Sequence, residues 1–164
     1  MKTPKVSPVE AVKTSYPQLA EESSQLNQAI ADLGTSISGI EASLRRIGLN
    51  VSAWHRIAGG EHEPTGYRWS RDIGYTRMSD RWHIALRESS FDPEVQEGDE
   101  TTYKFDDAPP WMCLEAAGKI PELLEELIER TRDMRAKISK KKAEVDELAA
   151  VLADLGQDAN NGRR

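Results

Sequence analysis

Residues 73–86 read Ile-Gly-Tyr-Thr-Arg-Met-Ser-Asp-Arg-Trp-His-Ile-Ala-Leu. Large side chains recur at every second position on both sides of Ser79-Asp80, the pattern of two strands joined by a short turn. A two-residue turn sets a register in which the opposed pairs are Ile73 with Leu86, Tyr75 with Ile84, and Arg77 with Trp82. We therefore predict an antiparallel hairpin whose large residues share one face.

Outward from this hairpin, residues 49–106 contain eight of the ten aromatic residues and show no helical period. Strands are predicted at 51–58 and 101–105, on either side of the hairpin. Glycines and a proline at 59–64 indicate a turn, and residues 92–100 form an acidic loop with Pro93 and Gly98. The expected unit is a β module at 49–106, a meander of three or four antiparallel strands.

A long helix is predicted at 17–48, before the β module. Its apolar residues alternate at spacings of four and three, which keeps one seam toward a partner helix; they are Leu26, Ile30, Leu33, Ile37, Ile40, Leu44 and Ile47. Ser7-Pro8-Val9-Glu10 resembles a capping box, so a short helix is expected at 1–16, ending before Pro17.

A second long helix is predicted at 119–156, after a short docking helix at 107–118. Its seam, interrupted by two polar residues, reads Ile120, Leu124, Leu127, Thr131, Met134, Ile138, Lys141, Val145, Leu148, Leu152 and Leu155. Residues 157–164 are polar and should fray. The expected fold is α+β and mainly α: two long antiparallel coiled-coil helices with an inserted small antiparallel β-meander, one structural domain overall.

Composition limits the possible partners. The 164 residues carry a formal charge of −6, which disfavours non-specific attraction to nucleic acid or anionic lipid. The lone Cys113 cannot form an intramolecular disulfide, and the start Met1-Lys2-Thr3 lacks an apolar signal, so a cytoplasmic location is expected. No stretch is apolar enough for a membrane span.

The sequence contains few residues in arrangements typical of a catalytic or metal-binding site. His55, His62 and His83 follow no metal-ligand spacing, although Glu61 and Glu63 flank His62. Cys113 lies a few residues after a predicted helix start, where a thiol can be activated, but a small buried hydrophobe is the commoner role. No nucleophile elbow or phosphate-binding glycine loop occurs. We expect no metal, no cofactor and no enzymatic activity, and an enzyme ranks third among the functions considered, behind the two binding functions described below.

Arginines interleave with aromatic residues in the β module, a mixture that can stack on bases and neutralise phosphates. The favoured interpretation is a small sheet whose aromatic residues form its core and whose arginines lie on its solvated outside. The candidate partner-binding residues are Arg56, Tyr67, Trp69, Arg71, Arg77, Arg81 and Trp82. Residues 51–105 hold seven Lys or Arg against ten Asp or Glu, so no basic funnel for single strands is evident. A nucleic-acid-associated function, which would also use the basic stretch 130–142, is therefore the alternative.

The first long helix has small, uncharged residues beside its seam, which permits close approach on two sides. We expect a homodimer through a face made of Leu26, Ala29, Ile30, Leu33, Gly34, Ser36, Ile37 and Ile40. The chain's own β module or its short terminal helix could cover this face instead. The expected role is a non-catalytic interaction or scaffolding protein, adaptor or inhibitor, that presents its β module to a protein partner.

Overall fold

The computed structural model describes residues 7–161, and it describes the side chains of residues 7–156. Its elements, in chain order, are α1 (Pro8–Arg46), β1 (Ala53–His62), β2 (Tyr67–Met78), β3 (Arg81–Asp92), β4 (Glu97–Lys104), a 3-10 turn (Phe105–Asp107), α2 (Pro110–Ala117) and α3 (Ile120–Asn161). The mixed α+β class, with a small antiparallel sheet between helices, is confirmed.

The sheet is an antiparallel meander with strand order β1-β2-β3-β4. The predicted hairpin register is confirmed, since the pairs are Ile73 with Leu86, Tyr75 with Ile84, and Arg77 with Trp82. Met78 pairs with Arg81, so the turn contains Ser79 and Asp80 alone, and Ser79 has a φ of 56°. A positive φ at the first turn residue matches the right-handed twist of the flanking strands.

The strands are longer than the sequence pattern predicted. The glycine-rich stretch assigned to a turn belongs to β1, and the connection to β2 lies at residues 63–66. The glycines admit a neighbouring ring, because a Cβ on Gly60 would lie 3.1 Å from Trp69 Nε1. The acidic loop is likewise shorter, since β3 extends to Asp92 and β4 begins at Glu97.

The expected break between two N-terminal helices does not occur. Helix α1 is continuous from Pro8 through Pro17 to Arg46. Proline fixes φ near the helical value, so a helix can contain it at the cost of one backbone hydrogen bond. A separate helix at 1–16 was therefore wrong within residues 7–16, and residues 1–6 lie outside the described part of the chain.

One face of the sheet and three helices form a single hydrophobic core. The second half of α1 packs against β3 and the 3-10 turn, whereas the start of α3 packs against β1 and β2. Helix α2 docks on the module as predicted, with Met112 and Cys113 buried. Leu123 of α3 is fully buried, although the predicted seam used Leu124, which is 36% exposed. The fully buried large side chains are Ile73, Tyr75, Ile84, Leu86, Met112 and Leu123.

Helix α1 also completes the open edge of β3 beyond the end of β4. Strand β4 pairs with β3 only from Ala85 onward. At the next residue toward the turn, Ile84 donates its backbone N–H to Glu41 Oε1 at 2.7 Å. One helical turn further, Arg45 Nη1 donates to the backbone oxygen of Trp82 at 2.9 Å. Two side chains of α1 thus satisfy strand groups that would otherwise lack a partner.

Coiled-coil pairing of the two long helices is not confirmed. Along α3, the seam residues Met134, Ile138 and Leu152 are 47%, 60% and 69% exposed, and Leu26 of α1 is 59% exposed. The helices are instead held where each meets the sheet. Lys141, a member of the predicted seam, is exposed and binds Glu144 of its own helix at 2.6 Å. Helix α3 continues to Asn161, past the predicted end at 156.

Candidate interaction surfaces

Helix α3 carries an exposed apolar stripe, here called the α3 stripe, along its C-terminal two thirds. Its exposed members are Ile128, Met134, Ile138, Val145, Leu148, Leu152 and Leu155. All are at least 47% exposed, and from Met134 onward they keep the heptad spacing apart from the interruption at Lys141. Apolar residues at this spacing, with charged residues beside them, are typical of a helix that packs against another helix.

Helix α1 divides into a covered half and an exposed half. The exposed half carries the α1 stripe, which consists of Val9, Val12, Tyr16, Leu19 and Leu26, all at least 59% exposed. These residues again follow spacings of three and four, with Ser23 at the missing position. The covered half begins near Ile30 and packs on the chain's own sheet and 3-10 turn.

Most of the face expected to form the dimer is covered by the chain itself. Ile37 is 3% exposed in the core, and Leu33 and Ile40 pack against that core. Gly34 faces the 3-10 turn, where a Cβ would lie 2.6 Å from Asp106 Oδ1. A cleft of about 300 Å³ separates this part of α1 from Phe105 and Cys113, and Ile30 is half-buried at its rim. Within the single chain, the β module and the 3-10 turn therefore cover these positions of the predicted interface.

The remaining members of the predicted dimer face, Leu26, Ala29 and Ser36, are exposed. Ser36 Oγ donates to the backbone oxygen of Asp32 within α1. Of the three, only Leu26 is a large apolar residue, and it belongs to the α1 stripe. The apolar surface left exposed on the two long helices therefore lies toward the N-terminus of α1 and on α3.

The predicted partner-binding residues do not form one site. Arg77, Arg81 and Trp82 lie at the turn end of the central hairpin, whereas Tyr67 and Trp69 begin β2 at the other end. Ten residues of strand separate Tyr67 from Arg77, which corresponds to about 34 Å. Trp82 stacks on the buried Tyr75 with 5.2 Å between ring centroids, so it serves the core.

At the β2 start, a group of side chains that we call the arginine sandwich joins the sheet to α2. The guanidinium of Arg71 lies 4.9 Å from the ring centroids of both Trp69 and Trp111. Its Nη2 also lies 3.2 Å from Glu115 Oε2. A cation between two aromatic rings is held by the negative faces of both. The sequence interpretation identified Trp69 and Arg71 but missed Trp111 and Glu115, which are distant along the chain.

The opposite face of the sheet carries a second charged cluster around Asp72, which is 5% exposed. Arg87 Nη2 binds Asp72 Oδ2 at 3.1 Å, and Arg56 Nε binds Oδ1 at 3.3 Å. The Arg87 guanidinium also lies 4.3 Å from the ring centroid of Trp54. Arg56 therefore has a carboxylate partner within the module, which reduces the positive charge it can offer to a phosphate.

A shallow groove of about 580 Å³ opens beside this cluster, toward the connection between β1 and β2. It is lined by Arg56, Gly59, Gly60, Glu61, Arg68, Trp69, Ser70, Ser89, Ser90 and Phe91. Arg68 at its rim lies 3.5 Å from Glu61. Tyr67, Trp69 and Phe91 are 36–42% exposed here, so this end of the sheet, which we call the aromatic end, presents rings to solvent.

Two titratable groups outside the sheet, Cys113 and Glu122, have shifted pKa values. Burial raises the pKa of the Cys113 thiol, and the charge of Asp106 raises it further. Cys113 Sγ donates to the backbone oxygen of Phe105 at 3.2 Å, as a buried structural thiol does. A hydrogen bond from Lys119 lowers the pKa of Glu122 at the start of α3. This pair lies on the surface of the helix.

Each of the three histidines has a different neighbour. His62 Nδ1 lies 3.2 Å from Thr65 Oγ1, and His83 Nδ1 lies 3.4 Å from Glu41 Oε2. His55 pairs with Ile73 across β1 and β2. Within the described part of the chain, no three His, Cys, Asp or Glu residues lie close enough together to hold a metal ion.

Comparison with protein-family models, with curated proteins and with solved structures gave no significant match. No helix within residues 7–161 combines the length and apolarity needed to cross a membrane.

Proposed function

We propose that this chain is a non-catalytic interaction or scaffolding protein, adaptor or inhibitor, that self-associates through its long helices and presents its β module to a protein partner. The observation that carries the proposal is the exposure of the α1 and α3 stripes, whose large apolar residues are at least 47% exposed in the single chain. Its single cysteine, buried in the core, suits a reducing compartment such as the cytoplasm.

The stripes support self-association because apolar side chains that stay exposed to water forgo the free energy that burial would supply. Burying a leucine or isoleucine side chain fully is worth about 1.5–3 kcal/mol relative to leaving it in water. Ile138, Leu148 and Leu152 are each 60–69% exposed, so most of that free energy is still available to a partner helix. Apolar surface of this extent marks interaction sites on soluble proteins.

The aromatic end of the sheet supports the second half of the proposal. Tyr67, Trp69 and Phe91 are partly exposed beside the groove, and interface cores are enriched in aromatic and arginine side chains. The arginine sandwich holds Trp69 through Arg71, which limits the entropy lost when a partner binds. We therefore propose that a protein partner binds at this end of the sheet.

Self-association is tested by sedimentation velocity and light scattering at micromolar concentration. We expect a particle of twice 18.3 kDa or more. Ile138→Glu should dissociate it, because the variant places a charge on the α3 stripe. Ala136→Glu is the matched control, since Ala136 is exposed on the same helix off the stripe. A wild-type protein that stays monomeric at every concentration would contradict the proposal.

Partner recognition is tested with proteins that co-purify from the native cell. A double variant Tyr67→Ala with Trp69→Ala should lose a specific partner, whereas Arg77→Ala with Arg81→Ala, altered at the other end of the sheet, should retain it. Equal retention by both variants would move the partner site away from the aromatic end.

The nucleic-acid-associated alternative is favoured by one observation. Residues 130–142 of α3 are exposed and carry seven Lys or Arg against Asp133 alone. Binding through this stretch would weaken steeply as salt rises, because each neutralised phosphate releases counterions. Gel-shift assays with labelled single and double strands at low salt decide the matter. A salt-sensitive shift lost on changing Arg132 and Lys140 to Gln would establish the alternative.

A further inference from the structure

We propose that α3 pairs with α3 of a second copy in antiparallel orientation, with the two helices crossing near residue 143. This inference rests on the proposed self-association and specifies which helix mediates it, in which direction and in which register. It follows from the exposed α3 stripe and from the division of charge along the same helix.

Charge along α3 reverses at residue 143. Residues 129–142 contain seven Lys or Arg and two acidic residues. Residues 144–156 contain four acidic residues and no basic one. A parallel, in-register pair would bring like charges together along its whole length. An antiparallel pair centred at residue 143 places the basic half of each copy beside the acidic half of the other, which stabilises that orientation.

The same centre aligns the apolar stripe. An antiparallel coiled coil opposes alternate seam positions, so each residue meets the one at equal distance on the other side of the centre. The opposed pairs are Thr131 with Leu155, Met134 with Leu152, Ile138 with Leu148, and Lys141 with Val145 of the second copy. Every polar seam residue thereby meets an apolar one, and no two lysines are opposed at a seam position.

Helix α1 is a poorer occupant of the α3 stripe. Its exposed half, residues 8–29, carries Glu10, Lys13, Glu21 and Glu22, so its net charge is negative. That half could complement the basic part of α3 but not the acidic part. A second α3 offers a block of each sign in the order required.

Pulsed electron spin resonance on singly labelled protein tests the orientation. Ala136, Ala143 and Ala150 are exposed, seven residues apart and on the side of α3 away from the stripe, so they form a matched series of label positions. Each is changed to Cys in a Cys113→Ala background. In the antiparallel pair, the label distance should be shortest at 143 and should increase equally at 136 and 150, through an axial offset of about 21 Å.

Each outcome has a defined meaning when sedimentation is measured on the same labelled samples. Equal distances at the three positions would show a parallel pair and overturn the inference. A dimer without a measurable distance at 143 would also overturn it, because another surface would mediate association. Both results leave the proposed self-association intact, whereas a monomeric protein defeats both proposals.

The seam lysine supplies an independent test. Lys141→Leu should lower the dimer dissociation constant by about tenfold, because two charges leave the centre of the seam. Lys140→Leu, one residue away and off the seam, is the control and should change it much less. Rising salt should weaken the wild-type dimer, since it screens attraction between the two blocks. Dimerisation strengthened by salt, with no gain from Lys141→Leu, would contradict the antiparallel register.

Discussion

The second half of α1 and the second half of α3 carry the same alternation of apolar residues in opposite surroundings. In α1, Ile37 and Leu44 lie against the sheet and are 3% and 9% exposed. In α3, Ile138 and Leu152 face solvent. A heptad pattern therefore indicates that a helix has one apolar side, but the rest of the chain decides whether a sheet, another helix or a second molecule covers it.

The largest expected effect on stability is a difference between substitutions in the covered and the exposed parts of α3. Leu123→Ala should lower the free energy of unfolding by about 2–5 kcal/mol, because it opens a cavity in the core. Leu148→Ala should cost little at low protein concentration and progressively more as the dimer forms. Urea unfolding at two concentrations at least a hundredfold apart measures both. If the loss from Leu148→Ala is large and independent of concentration, the α3 stripe is covered within the monomer.

The local sequence pattern predicted the hairpin and the long helices, whose residues interact with neighbours close in sequence or follow a regular spacing. The hairpin register followed from alternation on both sides of Ser79-Asp80, because a one-residue slip would move every large side chain to the wrong face. The seams of both helices were also visible. Their pairing with each other could not be tested by spacing alone, since a seam fits a sheet as well as a helix.

The surfaces were harder to predict because they join residues remote in sequence. Trp111 and Glu115 complete the arginine sandwich only after α2 docks on the sheet. The strand-edge contacts of Glu41 and Arg45 depend on where β4 ends. The residue type of Glu41 was one indication of such a contact, since a charged residue on the covered side of an apolar helix requires a buried partner.

The next largest effect on stability is expected at Glu41, in the covered half of α1, which accepts a hydrogen bond from the backbone N–H of Ile84. Glu41→Ala should cost about 1–3 kcal/mol, because the backbone N–H of Ile84 loses its acceptor while remaining buried. Glu41→Gln keeps an acceptor oxygen and should cost less. Glu21→Ala, in the exposed half, is the control and should lie within about 0.5 kcal/mol of wild type. Equal losses for the Ala and Gln variants at position 41 would show that the charge, not the strand edge, matters.

A smaller gain is expected at Tyr75, beneath the covered half of α1. Its hydroxyl is buried and has no hydrogen-bond partner in the described structure. Tyr75→Phe removes this unpaired group and should raise the free energy of unfolding at neutral pH by about 1 kcal/mol. Tyr16→Phe, in the exposed half of α1, should have almost no effect. A clear loss of stability in Tyr75→Phe would show that the hydroxyl does have a partner in solution, such as a water molecule.

The same residue predicts a dependence on alkaline pH. Burial raises the pKa of Tyr75 above its ordinary value of about 10. Between that value and the raised pKa, the unfolded chain has lost the phenolic proton while the folded protein still holds it. The unfolded state then binds fewer protons, so the free energy of unfolding falls as pH rises through this range. The fall should be shallower in Tyr75→Phe, as measured by urea unfolding between pH 8 and about 11.

The smallest difference is expected between two glycines of α1 that lie five residues apart. A Cβ on Gly39 would meet nothing within 4 Å, whereas one on Gly34 would lie 2.6 Å from Asp106 Oδ1. Alanine favours a helix interior by about 1 kcal/mol over glycine, so Gly39→Ala should stabilise by nearly that amount. Gly34→Ala should gain less, because Asp106 must move aside. Thermal unfolding of both variants beside Asp106→Ala tests this, since Gly34→Ala should recover the full gain once the carboxylate is absent. If both glycine variants stabilise equally with Asp106 in place, α1 is held less closely by the 3-10 turn than its covered half indicates.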